Sequence, residues 1–210
     1  MSLATEIARE LYKIEAIQIK PDRSFTWTSG IKSPIYCDNR LTLSYPDIRE
    51  KIADAFVTII KAQEEQPDVI AGCATAGIPH AAWIAQKLNL PMVYVRSKPK
   101  GHGKGNQIEG DIKEGQKVVV IEDLISTGGS SINAALALQE AGANVIGVLA
   151  IFSYGLAKAT NNFKANGFPL TTISNFDSLL DELLVAGTIN KENKADLIEW
   201  RDSLSVELTR

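Results

Sequence analysis

The sequence predicts an α/β protein built on a parallel sheet that carries helices on both faces. Three apolar segments, "DVIAG", "KVVVIED" and "NVIGVLAIFS", show the unbroken hydrophobicity of strands that are buried on both sides. Helical patterns separate these segments, and strands alternating with helices at this spacing are typical of parallel sheets. The chain has 210 residues, of which 45% are hydrophobic, so it is long enough for one well-buried domain.

The N-terminal part is expected to form a small cap separate from the main sheet. Apolar residues recur at helical spacing at its start, which predicts an amphipathic helix through Leu3, Ile7, Leu11 and Ile14. The segment "KPDRSFTWTSGIKSPIYCDNR" follows, and its Pro, Gly and β-prone residues indicate short strands and turns. A second helix is predicted by the spacing of apolar residues, ending near Pro67 and containing Ile48, Ile52, Phe56, Ile59 and Ile60.

The remaining elements follow in the order of an α/β sheet. "DVIAGCATAG" predicts a strand and a small-residue loop, "IPHAAWIAQKLN" a helix, and "PMVYVRS" and "KVVVIED" two further strands. "SSINAALALQEAG" predicts a helix that Gly142 ends, and "NVIGVLAIFS" a strand. Two short helices are predicted in the tail, at roughly 176–186 and 191–203.

Composition excludes several classes of function. The net charge of −3 argues against a general nucleic-acid surface, which normally shows a basic excess. Cys37 and Cys73 lie at no metal-ligand spacing, and the charged N-terminus does not resemble a secretory signal. No apolar run approaches the 18 residues or so of a membrane span. We therefore expect a soluble cytoplasmic protein with no nucleic-acid or membrane partner.

The loop "STGGS", residues 126–130, has the composition of an anion site. Ligands of open parallel sheets bind at the carboxyl ends of the strands, and this loop supplies backbone N–H groups at the start of a helix, where a phosphate is favoured. A Walker loop would need a Lys after the glycines, and none follows. The alternative is a plain turn in which Ser130 only caps the helix.

Two carboxylates, Glu122 and Asp123, stand just before this loop. Direct contact with a phosphate would be repulsive, so they are expected to face the part of the ligand beside the phosphate. In a ribose 5-phosphate that part is the sugar, whose hydroxyls donate to carboxylates. The alternative is an acidic pair that serves only as solvated charge.

Together these residues, "VVVIEDLISTGGSS", resemble the motif by which type I phosphoribosyltransferases bind phosphoribosyl pyrophosphate (PRPP). The resemblance implies that family's fold, a parallel sheet with helices on both faces and a small N-terminal hood. It also implies that PRPP is bound by Glu122, Asp123, Leu124, Ile125, Ser126, Thr127, Gly128, Gly129 and Ser130. In the family the loop matching "AGCATAGIPHA" receives the pyrophosphate, which implies roles for Ala74, Thr75, Ala76 and Gly77. Small residues alone could equally serve helix-to-sheet packing.

A third segment, "VRSKPKGHGKGNQIEG", is cationic and glycine-rich. A loop of this composition can close over a leaving pyrophosphate and neutralise its charge; a solvated surface loop is the alternative. Its R-x-x-x-K-x-H-G pattern is similar to the catalytic loop of orotate phosphoribosyltransferases, which places Arg96, Lys100 and His102 in that family's positions. "FTWTSGIKSPIYCDNR" resembles the same family's hood over the base.

The resemblance implies transfer of the phosphoribosyl group from PRPP to orotate, giving orotidine 5′-monophosphate and pyrophosphate in pyrimidine biosynthesis. It implies Mg²⁺ bound mainly through PRPP and pyrophosphate rather than at a metal site of the protein alone. The catalytic residues it implies are Arg96, Lys100, His102, Glu122 and Asp123. It further implies a homodimer with shared active sites, and one domain with a hood at roughly 1–45, a core at 46–175 and C-terminal helices at 176–210.

Several positions depart from the family pattern. Some members carry lysines where this chain has Thr28, Ala76 and Ser97, and an arginine for the orotate carboxylate near Tyr154 and Gly155. Ser126 or the hood backbone is expected to take over orotate recognition. The cations Lys32 and Arg40 are other candidates, and the alternative for each is a solvated surface charge. The alternatives are a transferase for another base, such as a purine, and a regulator that senses PRPP.

Overall fold

The computed structural model describes residues 2–20, 22, 24–26, 32–98 and 107–207. The strands, in chain order, are β1 (Ile17–Ile19), β2 (Phe25–Thr26), β3 (Lys32–Ser33), β4 (Ile35–Cys37), β5 (Val69–Cys73), β6 (Met92–Val95), β7 (Ile108–Glu109), β8 (Lys117–Ile125), β9 (Asn144–Ser153) and β10 (Leu170–Asn175). The helices are α1 (Leu3–Lys13), α2 (Pro46–Lys61), α3 (Gly77–Leu88), α4 (Gly129–Glu140), α5 (Ala157–Ala165), α6 (Phe176–Val185) and α7 (Lys191–Glu207). A 3₁₀ helix spans Asn39–Ser44.

A six-stranded sheet with the order β10-β9-β8-β5-β6-β7 forms the centre of the fold. Its strands pair in parallel, except that the edge strand β7 runs antiparallel to β6. Alternate residues of β8 enter different cores: Val119 and Ile121 join the core of α1, α2, α3 and α6, while Val118 and Val120 join that of α4 and α5. The predicted parallel sheet covered on both faces is therefore confirmed.

Most predicted elements are present, with shifted ends. The second helix stops at Lys61, before the predicted end at Pro67, and the last helix runs to Glu207 instead of ending near residue 203. Sequence analysis missed β7, β10, α5 and the 3₁₀ helix. The 3₁₀ helix is too short to give a clear pattern. The sequence of α5, "AKATNNFKA", is largely polar, so its two buried positions, Ala159 and Phe163, do not stand out.

Small antiparallel pairs make up the region predicted as a hood. β1 pairs with β4 and β2 with β3. The indole of Trp200 in α7 donates a hydrogen bond to the carbonyl oxygen of Lys32 at 3.3 Å, which ties the β2–β3 pair to the C-terminal helix. α1, which sequence analysis grouped with this region, packs on the main sheet instead, and Ser174 of β10 donates to the carbonyl oxygen of Ala4 at 2.7 Å.

Within the described residues, no helix combines the length and apolar character needed to cross a bilayer.

Candidate active site

A pocket of about 440 Å³ opens at the carboxyl ends of β5 and β8. It brings together the loop after β5, the acidic pair of β8, the first turn of α4 and the hood residues after β4. The residues that line it are Cys37, Asp38, Arg40, Ala74, Thr75, Ala76, Glu122, Asp123, Leu124 and Ser130. Segments that sequence analysis assigned separately to ribose, phosphate and pyrophosphate thus share one cavity.

The acidic pair lies inside β8, which continues through Leu124 to Ile125. Glu122 is 6% exposed, and one of its carboxylate oxygens accepts a hydrogen bond from the backbone N–H of Asp123 at 3.1 Å. Burial, together with the charge of Asp123, raises the pKa of Glu122 to about 8. Burial also raises the pKa of Asp123. Two buried carboxyl groups this close disfavour a second negative charge, so the site attracts a cation or hydroxyl donors.

Both cysteines border this acidic pair. Burial, reinforced by the charge of Glu122, raises the pKa of the Cys73 thiol well above its ordinary value. Burial and the charge of Asp123 do the same to the pKa of Cys37. A thiol held protonated is a poor nucleophile, so both cysteines act here as small packing residues.

The predicted phosphate loop leads directly into α4. The helix begins at Gly129, and its N-cap residue is Gly128, at a φ of +80° and without a side chain to occupy the first N–H groups. Ser130 lines the pocket and does not cap the helix, so the expectation that it serves only as an N-cap is wrong, while its role toward a phosphate stays a prediction. A Cβ at Gly128 would lie 2.5 Å from the ring of Phe163 in α5, so the loop needs glycine there for conformation and for space.

The loop after β5 owes its small residues to close packing as well as to its place in the pocket. A Cβ at Gly77 would lie 2.3 Å from the carbonyl oxygen of Ile121, and one at Gly72 would lie 2.9 Å from the Cα of Ile78. The start of α3 therefore rests directly on β8, beside Glu122. Thr75 is exposed and Ala76 half-buried at the pocket wall, and the Ala74–Thr75 peptide bond is cis.

Arg96 stands where the cationic segment leaves β6. Its backbone N–H donates to the carbonyl oxygen of Gln107 at 2.8 Å, and the Gln107 amide donates back to the carbonyl oxygen of Arg96 at 2.9 Å. The Arg96 guanidinium lies 3.4 Å from the carboxylate of Glu109. Lys100 and His102 lie outside the described residues, so the predicted grouping of all three stays a prediction.

The structure adds residues to the pocket that sequence analysis had not assigned to PRPP. Asp38 and Arg40 line it as a pair, with Arg40 donating to both carboxylate oxygens of Asp38 at 2.6 and 2.8 Å. The polar run "CDNR" directly after a short strand was the signal available. At Gly155, a Cβ would lie 3.4 Å from a guanidinium nitrogen of Arg201, but that guanidinium is paired with Asp177 and Asp202, so it does not replace the arginine that the resemblance implies near this position.

Ser126, expected to contact orotate, is half-buried just after β8, and Lys32 donates to the hydroxyl of Thr26 within the hood at 2.8 Å. Tyr154 is 6% exposed, and burial raises the pKa of its hydroxyl, so the phenol stays neutral. His80 is also buried, in the first turn of α3 with its ring edge against Trp83, and burial lowers its pKa to about 4. It is a neutral packing residue beside the loop after β5.

Comparison with known proteins agrees with this geometry. Residues 43–166 match the family model of the phosphoribosyl transferase domain. The chain is 59% identical over 199 residues to the orotate phosphoribosyltransferase of Oceanobacillus iheyensis, covering 95% of this chain and 98% of that relative. The chain belongs to the orotate phosphoribosyltransferase family.

Other members give the same result. The orotate phosphoribosyltransferase of Staphylococcus saprophyticus is 56% identical over 203 residues, with 97% of this chain and all of that relative covered. The crystal structure of the Aeropyrum pernix orotate phosphoribosyltransferase superposes with a TM-score of 0.76 at 29% identity, covering 88% of this chain and 99% of that one. The predicted family and fold are confirmed, and so is the enzyme class, because orotate phosphoribosyltransferases are pentosyltransferases.

Proposed function

We propose that this chain transfers the phosphoribosyl group of PRPP to orotate, releasing pyrophosphate. The observation that carries the proposal is the pocket itself, where the buried Glu122, the half-buried Asp123, the start of α4 and the loop at Thr75 face one cavity. Those three parts match the sugar, the 5′-phosphate and the pyrophosphate of one PRPP molecule. Such a molecule needs groups that accept hydrogen bonds from its hydroxyls and groups that bind its two anionic ends, and these three parts are proposed to supply them.

In the proposed reaction the nitrogen N1 of orotate forms a bond to C1 of the ribose. The bond between C1 and the pyrophosphate oxygen breaks, its electron pair leaves with pyrophosphate, and the N1 proton is released to solvent. Positive charge grows on the sugar ring as this bond breaks. Glu122 and Asp123 hold the ribose hydroxyls and stabilise that charge, while residues 126–130 hold the 5′-phosphate at the start of α4.

The acidic pair also fits the cofactor that the family resemblance implies. Mg²⁺ prefers one or two carboxylates combined with substrate phosphates over an all-protein cage. Glu122 and Asp123 offer two carboxylates beside the pyrophosphate loop, and the described residues hold no group of three metal-binding side chains. When bound, Mg²⁺ neutralises charge on the pyrophosphate, and we assign its contact with the protein to this pair.

Orotate is the less completely assigned substrate. We place its ring between the hood and the end of β9, near Tyr154, with Ser126 as a hydrogen-bonding partner. Arg40 is a cation at the pocket and is 64% exposed at its side chain, which suits contact with an anionic ligand.

The cationic loop is assigned to the leaving pyrophosphate. Within it, Lys100 and His102 belong to the R-x-x-x-K-x-H-G motif, whereas Lys98 does not. Lys100→Ala is expected to lower kcat by about 10²–10³, the range found on deleting one preorganised group of this kind. Lys98→Ala serves as the matched control and is expected to stay near wild type. Equal effects of the two variants would contradict the assignment of Lys100.

The function is tested by following orotate through its ultraviolet absorbance, with purified protein, PRPP and Mg²⁺. Parallel reactions contain adenine, hypoxanthine or uracil. Loss of orotate that requires both PRPP and Mg²⁺ is the expected result. Turnover of another base alone would overturn the orotate assignment, and PRPP binding without turnover of any base would point to a PRPP sensor.

We further propose a homodimer in which the cationic loop of one subunit reaches the site of the other, and a cytoplasmic location. Both rest on the family resemblance and on the composition of the chain.

A further inference from the structure

Two asparagine side chains from outside the PRPP motif donate hydrogen bonds to its main chain. Nδ2 of Asn39 donates to the carbonyl oxygen of Asp123 at 2.7 Å. Nδ2 of Asn162 donates to the carbonyl oxygen of Thr127 at 2.9 Å. One bond is made at the acidic pair and the other at the phosphate loop. A side-chain amide therefore holds the main chain of the proposed PRPP-binding segment at each of these two places.

Asn39 connects the hood to the acidic pair. Its side chain is fully buried at 0% exposure, and its amide oxygen accepts a hydrogen bond from the Cys37 thiol at 3.4 Å. The residues on either side of it, Asp38 and Arg40, line the pocket. The bond to Asp123 therefore sets the distance between two walls of the cavity.

Asn162 connects α5 to the phosphate loop. It is half-buried and stands next to Phe163, whose ring lies against Gly128. A peptide group is planar and trans, so an amide that fixes the Thr127 carbonyl also fixes the direction of the Gly128 N–H on the same plane. Backbone N–H groups at the start of a helix are the donors that bind phosphate.

We infer that Asn39 and Asn162 are positioning residues for PRPP: they preorganise the main chain at Asp123 and Thr127 and do not contact the substrate themselves. The inference rests on the proposed function only in naming PRPP as the ligand. Its physical basis is that an unbraced loop must be ordered by the ligand, and that ordering weakens binding.

α5 offers a matched control. Asn166, the C-cap residue of α5, lies one helical turn beyond Asn162, and its Nδ2 donates to the carbonyl oxygen of Asn162 at 2.8 Å at the end of that helix. Asn166→Ala thus removes the same kind of bond from the same helix without touching the phosphate loop. A general loss of helix stability affects both variants, whereas loss of loop positioning affects only Asn162→Ala.

The experiment measures the Kd for PRPP by titration calorimetry, the KM for each substrate, and the melting temperature. Asn162→Ala is expected to raise the Kd and KM for PRPP about 3–10-fold, the loss of roughly one net hydrogen bond, with a smaller change in the KM for orotate. Asn162→Leu, which keeps a side chain branched at Cγ but has no donor, is expected to behave like Asn162→Ala, and Asn166→Ala like wild type.

Asn39→Ala is expected to raise the KM for both substrates, because Asn39 links the hood to the acidic pair. An unchanged Kd for PRPP in Asn162→Ala would overturn the inference, as would wild-type affinity in Asn162→Leu, which would reduce the residue to a packing role. Because the Kd for PRPP needs no turnover, wild-type protein that binds PRPP but leaves orotate unchanged would refute the proposed function while still testing this inference.

Discussion

The contact between Gly77 and β8 gives the sharpest test of how the pocket is built. A Cβ placed on Gly77 would lie 2.3 Å from the carbonyl oxygen of Ile121 and 3.4 Å from the Cα of Glu122. The first distance is roughly 1 Å short of van der Waals contact, and both atoms belong to backbone, which cannot rotate away. Gly77→Ala must therefore push the start of α3 away from β8.

Overpacking of this kind costs about 1–3 kcal/mol in the free energy of unfolding. For a chain of this size each kcal/mol lowers the melting temperature by roughly 2–4 °C, so Gly77→Ala is expected to melt about 2–12 °C below wild type. The displacement lies beside Glu122, so the KM for PRPP is expected to rise as well.

Gly129→Ala is the matched stability control. Gly129 is also the first residue of a helix, but a Cβ there would meet no atom within 4 Å. Replacing a glycine at such a compatible position stabilises by about 0.4–1 kcal/mol. Thermal unfolding followed by far-ultraviolet circular dichroism compares the two variants. Equal melting temperatures would refute the claim that α3 and β8 are in backbone contact at Gly77.

Three further predictions concern charge, the hood and assembly. Folding raises the pKa of Glu122 from its ordinary value of 4.5 to about 8, so between these pH values the folded protein binds a proton that the unfolded chain has released. The free energy of unfolding should therefore fall as the pH rises from 4.5 to about 8. Without Mg²⁺, the melting temperature of Glu122→Gln should therefore exceed that of wild type by a margin that grows from pH 5 to pH 8. A constant margin would contradict the claim that Glu122 stays protonated in the folded protein. Trp200→Phe keeps an aromatic ring but loses the hydrogen bond to the carbonyl oxygen of Lys32. We therefore expect the KM for orotate to rise more than that for PRPP in steady-state kinetics, and equal rises would argue against a hood effect. Mixing the impaired Lys100→Ala and Asp123→Asn proteins should raise activity above that of either variant alone if one subunit's loop serves its partner's site. No gain after subunit exchange, verified by mass spectrometry of the mixed dimer, would exclude shared sites.

Local sequence predicted the central strands β5, β8 and β9 because they are mostly buried and form nearly continuous apolar runs, whereas the edge strands β7 and β10 are polar or partly exposed and were not predicted. The buried strand β8, the acidic pair and the glycine loop follow one another within residues 117–130, so local sequence was enough to mark the PRPP segment. The same reasoning missed α5, in which Phe163 contacts Gly128 while most of its neighbours are polar. A helix held by a few buried residues gives too weak a periodic signal to find from sequence.

The sequence by itself determined the fold class and the family, because strand burial and the PRPP motif are written in short contiguous segments. Only the tertiary structure decided which distant residues complete the site. Asn39 lies 84 residues from Asp123, and Asn162 lies 35 residues from Thr127. Such contacts depend on how helices and strands pack in three dimensions, and no local pattern of residues encodes that packing.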